Sequence, residues 1–449
     1  MRERSSFGSK FGAIAAATGS AIGLGNIWRF PYVAGENGGA AFMLVYLFFV
    51  IVIGIPMMLS EFSIGRYTNR NTFGAFRVLR PGSKWYLIGI LGIVTAFVIL
   101  SFYSVVAGWT IDFLKESLVN GFAGRSSAEI KTGFDSFVES GWRPVFWTLL
   151  FVAATAFIVV SGIEKGIERY NKILMPLLFL ILIGLGINSA TMEGFREGMS
   201  FLFKPDFGKI TGSVVIEALG QAFFSLSLGM GTMITYGSYI RSRENMLTTA
   251  GSVAVSDTLI AILAGVAIFP AVFSFGISPT SGPDLVFITL PNIFQQMPGG
   301  YVLSILFFLL LFIAAVTSSV SLMEVVTAFC TEELKMKRRT AVLAISLVLA
   351  GTSTLCTLSQ MPDSPLKIAG TNLFDFFDNV SATYMMPVGA FFIAIFTGWF
   401  FGKNRLRGEF TSGELYGTGL FPFFLFLVRF IAPVVIAVIF LSKAGWLKL

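Results

Sequence analysis

Long apolar stretches separated by short polar connections constrain this chain more than any other feature of its sequence. A helix needs about 20 consecutive apolar residues to cross a bilayer. Composition agrees, because 13% of the residues are charged, against roughly 25% in soluble domains. The sequence predicts an all-α polytopic membrane protein with eleven spans, at 11–34, 40–65, 86–118, 144–161, 168–187, 213–240, 248–275, 299–330, 340–358, 374–400 and 420–441.

Lysine and arginine set the predicted orientation. They concentrate in alternate connections, including the N-terminal segment and those that contain Arg66, Arg241, Lys337 and Lys403. By the positive-inside rule these connections face the cytoplasm. We therefore expect the N-terminus inside and, after an odd number of spans, the C-terminus outside. The net charge of +7 reflects this topology, and nucleic acid is not an expected partner.

Catalytic and metal-binding residue patterns are scarce. The chain contains no histidine, which excludes Ser–His–Asp triads and His-ligated metal sites. The two cysteines, Cys330 and Cys356, lie in separate predicted spans without metal-ligand spacing. With no nucleophile–base pair in view, the chain is not expected to be an enzyme.

Two predicted spans carry small residues where a helix would have its middle. They are Gly19, Ser20, Gly23 and Gly25 in span 1, and Ser225, Ser227, Gly229 and Gly231 in span 6. Glycine inside a helix costs about 1 kcal/mol relative to alanine. Non-helical backbone at membrane depth survives only where it is buried in protein or lines a cavity. For either stretch alone, small residues for tight helix packing remain the alternative.

The positions of the two interruptions point to a binding site. Spans 1 and 6 correspond in two five-span halves, and paired interruptions of this kind mark the midplane site of inverted-repeat transporters. Broken helices expose N–H groups at one end and carbonyls at the other, a set that suits a zwitterion. Carbonyls, hydroxyls and the Asn26 amide are hard oxygen ligands suited to Na⁺. We expect a net-neutral ligand, or one that brings its own counter-ions.

Several motifs make a family resemblance specific. They are Gly23-Leu24-Gly25-Asn26-Ile27-Trp28-Arg29-Phe30-Pro31-Tyr32, Glu36-Asn37-Gly38-Gly39, Gly54-Ile55-Pro56, the Gln221–Gly231 stretch and Thr317-Ser318-Ser319. With these the chain resembles the neurotransmitter:sodium symporters, in particular the bacterial leucine and hydrophobic amino acid transporters. The resemblance implies an inverted 5+5 repeat with helices 1 and 6 broken. It divides the chain into a cytoplasmic N-terminal segment (1–10), a first five-helix repeat (11–187), an extracellular connection (188–212), a second five-helix repeat (213–400) and a cytoplasmic loop with helix 11 (401–449). The chain has one span fewer than the family's usual twelve.

The resemblance also implies a substrate pocket between the two breaks. Gly25 leaves room for a carboxylate where monoamine-selective relatives carry an acid, which implies an amino acid. The Tyr103 hydroxyl resembles the carboxylate contact and Phe224 the lid, while the adaptable Met230 favours a broad hydrophobic to aromatic range. The implied pocket residues are Ser20, Ala21, Leu24, Gly25, Ile99, Tyr103, Phe224, Ser225, Ser227, Met230, Ser318 and Leu322.

Two sodium ions are implied beside this pocket. The first site resembles the Ala21 carbonyl with Asn26, Ser225, Ser256 and the substrate carboxylate. The second site resembles the carbonyls of Gly19, Ile22 and Ala314 with the hydroxyls of Thr317 and Ser318. Helix hydroxyls often bond back to their own carbonyls, so ligation at the second site depends on their facing span 1.

Gates and an anion substitute complete the resemblance. The extracellular gate is implied to be Arg29 with Asp378, with Asp375 as a rival partner. The cytoplasmic latch is implied to be Arg4, Phe7, Tyr239 and Glu332. Asp257, with Tyr46 and Gln221, is expected to replace the chloride that animal relatives bind. Glu61 is expected to support the break of span 1, and Gly166 with Pro176 to allow local unwinding of span 5.

The functional expectation is a sodium-coupled symporter in the bacterial inner membrane. It would import hydrophobic or aromatic L-amino acids by alternating access, without chloride. The expected partners are the amino acid, Na⁺ and the lipid bilayer, and a homodimer stays open. A sodium-dependent amino-acid sensor, or a symporter for another small zwitterion, remains an alternative. A channel would need a continuous polar pore, whereas the polar midplane residues here are few and flanked by Phe and Met.

Overall fold

The computed structural model describes residues 6–276 and 285–447. Within these ranges nine unbroken helices are long and apolar enough to cross a membrane. All nine overlap the spans predicted from the sequence, whose numbers we keep below. They are Ala40–Thr68, Tyr86–Leu118, Trp142–Val160, Ile163–Ser189, Met246–Ser274, Gly300–Glu332, Arg338–Leu358, Leu373–Phe400 and Thr418–Lys443, which are spans 2 to 5 and 7 to 11.

Both predicted interruptions are confirmed. Span 1 consists of helices Lys10–Ala21 and Gly25–Glu36, bent by 51° at the break. Its second half begins with π-helical turns at Gly25–Arg29 and continues as Phe30–Glu36. Span 6 consists of Gly212–Ser225 and Thr232–Gly237, with residues 226–231 non-helical between them. Neither half of span 6 crosses a bilayer by itself, so the exact count of eleven spans stays a prediction.

Short elements connect the spans. The α-helices among them are Thr72–Leu79, Ser127–Glu139, Phe195–Phe203, Leu290–Gln296 and Lys403–Phe410. Two strands, Lys367–Ile368 and Thr371–Asn372, pair antiparallel in a small hairpin before span 10. π-Helical turns recur within or beside the long helices, at Val50–Gly54, Ile163–Glu168, Leu285–Thr289, Val380–Met385, Phe396–Phe400 and Leu427–Ile431. Single 3₁₀ turns form at Phe207–Lys209 and Thr418–Leu420.

The two broken spans lie inside the bundle. The first half of span 1 packs against spans 5, 7 and 8, while span 2 supports both halves of span 6. Spans 3 and 8 form the largest helix–helix contact of the described chain. Outer helices instead present large apolar side chains outward, including Phe48, Ile51, Val255, Leu347 and Val434. Such a surface fits lipid, because bilayer tails are themselves apolar.

Candidate functional site

The break in span 1 turns backbone groups away from the helix. Ile22 is extended at φ −75° and ψ 109°. The Leu24 N–H donates to the Tyr103 hydroxyl at 2.9 Å, and the Gly23 N–H donates to Asn26 Oδ1 at 3.2 Å. A Cβ on Gly23 would lie 2.7 Å from the Tyr103 oxygen, so the close approach of span 3 requires glycine there. Span 1 therefore offers its open backbone to side chains of its neighbours.

The break in span 6 depends on left-handed backbone. Ser227, Gly229 and Gly231 have φ of 53°, 79° and 75°, a region that glycine enters without strain. The Gly229 N–H donates to Glu61 Oε1 at 2.8 Å. Glu61 was expected to support the break of span 1, and the structure instead places it at the break of span 6.

The two breaks face each other. The Ser20 carbonyl accepts hydrogen bonds from Ser227 Oγ at 3.0 Å and from Ser318 Oγ at 3.2 Å. Gln221 Nε2 donates to the Gly25 carbonyl at 2.8 Å. Polar groups from spans 1, 6 and 8 thus meet where the resemblance places the pocket.

Asp257 of span 7 lies at the centre of a buried polar cluster. Its carboxylate accepts from Asn26 Nδ2 at 2.7 Å, from Ser225 Oγ at 2.6 Å and from the Tyr46 hydroxyl at 3.0 Å. The Asn26 amide also donates to Ser225 Oγ at 3.1 Å. Ser256, expected at the first sodium site, is half-buried, and Asp257 is the span-7 side chain that meets Asn26 and Ser225. Successive helix residues point about 100° apart, so one position decides which side chain faces the site.

Some of the groups predicted for the second sodium site lie near one another between spans 1 and 8. Thr317 Oγ1 lies 3.5 Å from the Ile22 carbonyl oxygen and 3.1 Å from that of Ala314. It also bonds back to Ile313 at 3.1 Å, as helix hydroxyls commonly do. Gly19 packs beside Thr317, since a Cβ there would lie 3.4 Å from the threonine Cβ. The predicted set contains three carbonyls and the two hydroxyls of Thr317 and Ser318, and all five groups are neutral.

Apolar side chains enclose the space beside these polar groups. Ile99, Met230 and Leu322 are at most 3% exposed. Ile99 and Leu322 stand one helical turn from Tyr103 and Ser318, on the same faces of spans 3 and 8. Phe224 is half-buried, and its ring lies 2.9 Å from where a Cβ on Gly25 would be. The wall suits an apolar ligand side chain.

The extracellular gate residues are arranged in layers. The Arg29 guanidinium stands over the Phe224 ring, with Cζ 4.8 Å from the centroid. Asp378 and Glu217 lie near enough to interact with Arg29 electrostatically, but the ion pairs of the described residues do not join either acid directly to Arg29. Lys443 of the last span pairs with Glu217 at 3.2 Å. Arg29, Phe224 and Lys443 together line a small cavity of about 20 Å³.

Asp375, the rival gate residue, has a different role. It lies in the first turn of helix Leu373–Asn379, where its N–H donates to the side chain of the N-cap residue Asn372 at 2.8 Å. Asn372 Nδ2 also donates to its carboxylate at 2.8 Å. Asp378, rather than Asp375, is the acid that lies near Arg29 with its side chain turned into the bundle.

The cytoplasmic latch residues are partly brought together. Phe7 is buried against Tyr236 and Tyr239, with ring centroids 5.8 and 5.9 Å apart, and its N–H donates to the Tyr239 carbonyl at 3.1 Å. Glu332 accepts from the Asn71 N–H at 2.9 Å and from its side chain at 3.0 Å. Arg4 lies outside the described residues.

Sequence reasoning missed a buried ion pair beneath the latch. Glu324 in span 8 is fully buried, pairs with Arg338 at 2.5 Å and accepts from the Tyr239 hydroxyl at 2.7 Å. The available signal was an acid within the C-terminal part of an apolar span, since intramembrane charges mark functional or paired sites.

Comparisons with known proteins show the family to which the chain belongs. The chain matches the sequence model of the sodium:neurotransmitter symporter family over residues 4–129 and 122–447. An uncharacterized sodium-dependent transporter of Haemophilus influenzae is 40% identical over 457 residues, which cover 98% of both chains. The sodium-dependent transporter YhdH of Bacillus subtilis is 38% identical over 440 residues, again 98% of both.

A solved structure matches over the whole fold. The crystal structure of MhsT in complex with L-phenylalanine superposes with a TM-score of 0.91 at 42% identity, covering 98% of this chain and 100% of that one. The two broken helices therefore occur within a fold already seen in a solved structure. The chain belongs to the sodium:neurotransmitter symporter family and is a sodium-dependent symporter.

Proposed function

We propose that the protein imports hydrophobic and aromatic L-amino acids together with sodium. The observation that carries this proposal is the meeting of the two helix breaks, where uncharged backbone and hydroxyl groups lie together with the buried apolar side chains of Ile99, Met230 and Leu322. MhsT, the structural relative, was crystallised with L-phenylalanine, a ligand of this class.

Substrate orientation follows from the exposed backbone. The second half of span 1 begins at Gly25, where free N–H groups and the positive helix end favour a carboxylate. The Tyr103 hydroxyl lies beside this end and can donate to the same carboxylate. The carbonyl end of the first half accepts the ammonium group. The amino acid side chain then extends toward Met230 under the Phe224 lid.

The proposed sodium sites flank this position. The first consists of the Ala21 carbonyl, Asn26, Ser225 and the substrate carboxylate, with Asp257, rather than Ser256, as the span-7 residue that contacts Asn26 and Ser225. The fixed negative charge of Asp257 neutralises the charge of the sodium ion, which makes transport independent of chloride. The second consists of Gly19, Ile22, Ala314, Thr317 and Ser318. Because substrate and first ion share a carboxylate contact, each increases the affinity of the other.

Alternating access would break different contacts on the two sides of the substrate site. Opening outward separates Arg29 from Phe224, and opening inward releases Phe7 from Tyr236 and Tyr239. The basic connections favour an orientation in a bacterial inner membrane with Phe7 and the N-terminus on the cytoplasmic side and the C-terminus outside.

Competition for uptake tests the proposal. Purified protein in liposomes, driven by an inward sodium gradient, takes up labelled L-leucine, and unlabelled L-amino acids compete. We expect Phe, Tyr, Trp and Leu to compete strongly and glycine, glutamate and lysine weakly. A preference for glycine or for an acidic amino acid would contradict the substrate class. Saturable sodium-dependent binding without any uptake would favour the sensor.

A further inference from the structure

Asn171 in span 5 carries an oxygen that nothing in the described chain satisfies. The residue is 2% exposed, and its Nδ2 donates to the Ile167 carbonyl at 2.9 Å. Its Oδ1 is buried without a hydrogen-bond partner among the described residues. Buried polar atoms are nearly always paired, because leaving one unpaired costs its full desolvation free energy. We therefore expect this oxygen to bind a group that the described residues do not supply.

The position of this oxygen identifies what it faces. A Cβ on Gly19 would lie 2.0 Å from Asn171 Oδ1 and 3.4 Å from the Thr317 Cβ. Gly19 and Thr317 both belong to the proposed second sodium site. Only glycine at position 19 lets the amide approach span 1 so closely, so span 5 meets the site at this residue.

The chemistry of the oxygen fits sodium. An amide oxygen is a hard, neutral ligand of the kind that sodium prefers. The five groups assigned to the second site come only from spans 1 and 8, and all of them are neutral. A neutral oxygen from span 5 would add a sixth ligand, on the side of the site that faces span 5, without adding charge.

We propose that Asn171 is the span-5 contribution to the second sodium site. This inference rests on the proposed function, since it assumes that sodium binds between spans 1 and 8. The other end of the same amide donates to the Ile167 carbonyl, within the π-helical turns Ile163–Glu168, which contain Gly166.

Sodium titration of the full-length protein tests the inference. The thermal unfolding midpoint in detergent is measured against Na⁺ concentration, with K⁺ keeping ionic strength constant, because a ligand of the folded state raises that midpoint by mass action. The binding of ²²Na⁺ is measured in parallel. For Asn171→Ala we expect half-saturation at roughly tenfold higher Na⁺, about one ligand's worth of free energy. For Asn171→Asp we expect half-saturation at lower Na⁺ and a reduced midpoint in K⁺ alone, where the new charge is buried without a counter-ion.

A matched control removes a similar atom from the same helix. Ser189 is fully buried, and its hydroxyl also has no partner among the described residues. Ser189→Ala should leave the sodium titration unchanged. If Asn171→Ala and Asn171→Asp both titrate like the wild type, the inference is overturned and the proposed function stands. If the wild type shows no response to Na⁺ in either measurement, the proposed function itself fails. If Asn171→Ala does not fold, the direction of the Asn171→Asp shift decides alone.

Discussion

Removing the charge of Asp257 should weaken sodium binding strongly. Its carboxylate oxygens contact Asn26 at 2.7 Å and Ser225 at 2.6 Å, both proposed ligands of the first sodium ion, which places the carboxylate roughly 4 Å from the ion. Two unit charges at that distance attract by about 4 kcal/mol at an effective dielectric constant of 20. Asp257→Asn keeps the shape of the side chain and one acceptor oxygen. We therefore take half of this attraction, about 2 kcal/mol, as the minimum loss of sodium-binding free energy. That loss lowers sodium affinity by about 30-fold.

Chloride provides the sharper assay of the same charge. Initial uptake of labelled L-leucine into proteoliposomes is measured against Na⁺ in chloride and in gluconate. We expect the wild type to behave alike in both media. Asp257→Ser leaves a smaller neutral side chain beside Tyr46, so chloride should enter and restore sodium affinity that is lost in gluconate. An Asp257→Asn variant with wild-type sodium dependence, or an Asp257→Ser variant indifferent to chloride, would refute the role of this carboxylate.

Three further variants test other parts of the site. Gly229→Ala should lower the thermal unfolding midpoint, since its φ of 79° and a Cβ 2.4 Å from the Met386 carbonyl cost of order 1–3 kcal/mol; an unchanged midpoint would show that the break relaxes. Glu324→Gln should destabilise the protein by about 2 kcal/mol, because the partly buried Arg338 loses its charged partner; removing both charges should recover most of this loss. Gly25→Asp should abolish uptake of L-leucine while the protein stays folded by circular dichroism, because the new carboxylate occupies the place of the substrate's own; retained uptake would contradict the proposed orientation.

The fold followed from the sequence because membrane helices obey length and composition. Span 3 has the same bounds in the structure as in the apolar pattern, and both interruptions were visible as clustered glycine and serine. These features are local, so each can be read from neighbouring residues alone. The resemblance extended this to side chains such as Tyr103 and Ser318, which the structure brings to the break of span 1.

The expectations for Ser256 and Glu61 differ from the structure because the sequence does not tell which face of a helix meets the site. Ser256 and Asp257 both offer oxygen, and only the packing of span 7 against spans 1 and 2 decides that Asp257 points inward. The partner of Glu61 is equally non-local, because Gly229 is 168 positions away in the chain. Asn171 gave no signal in the sequence, since one asparagine near a helix start is common and its unpaired oxygen is a property of the packed structure.

Accumulation against a gradient tests the central claim most directly. Liposomes that contain the protein and equal labelled L-phenylalanine on both sides receive a tenfold inward sodium gradient. Each ion then supplies about 1.4 kcal/mol, so two coupled ions support accumulation of up to about 100-fold, and a sodium ionophore should abolish it. Internal phenylalanine that rises above the external concentration only while the gradient lasts is the predicted result. Equilibration without accumulation, or accumulation that persists with potassium in place of sodium, would contradict a sodium-coupled amino-acid site between the two broken helices.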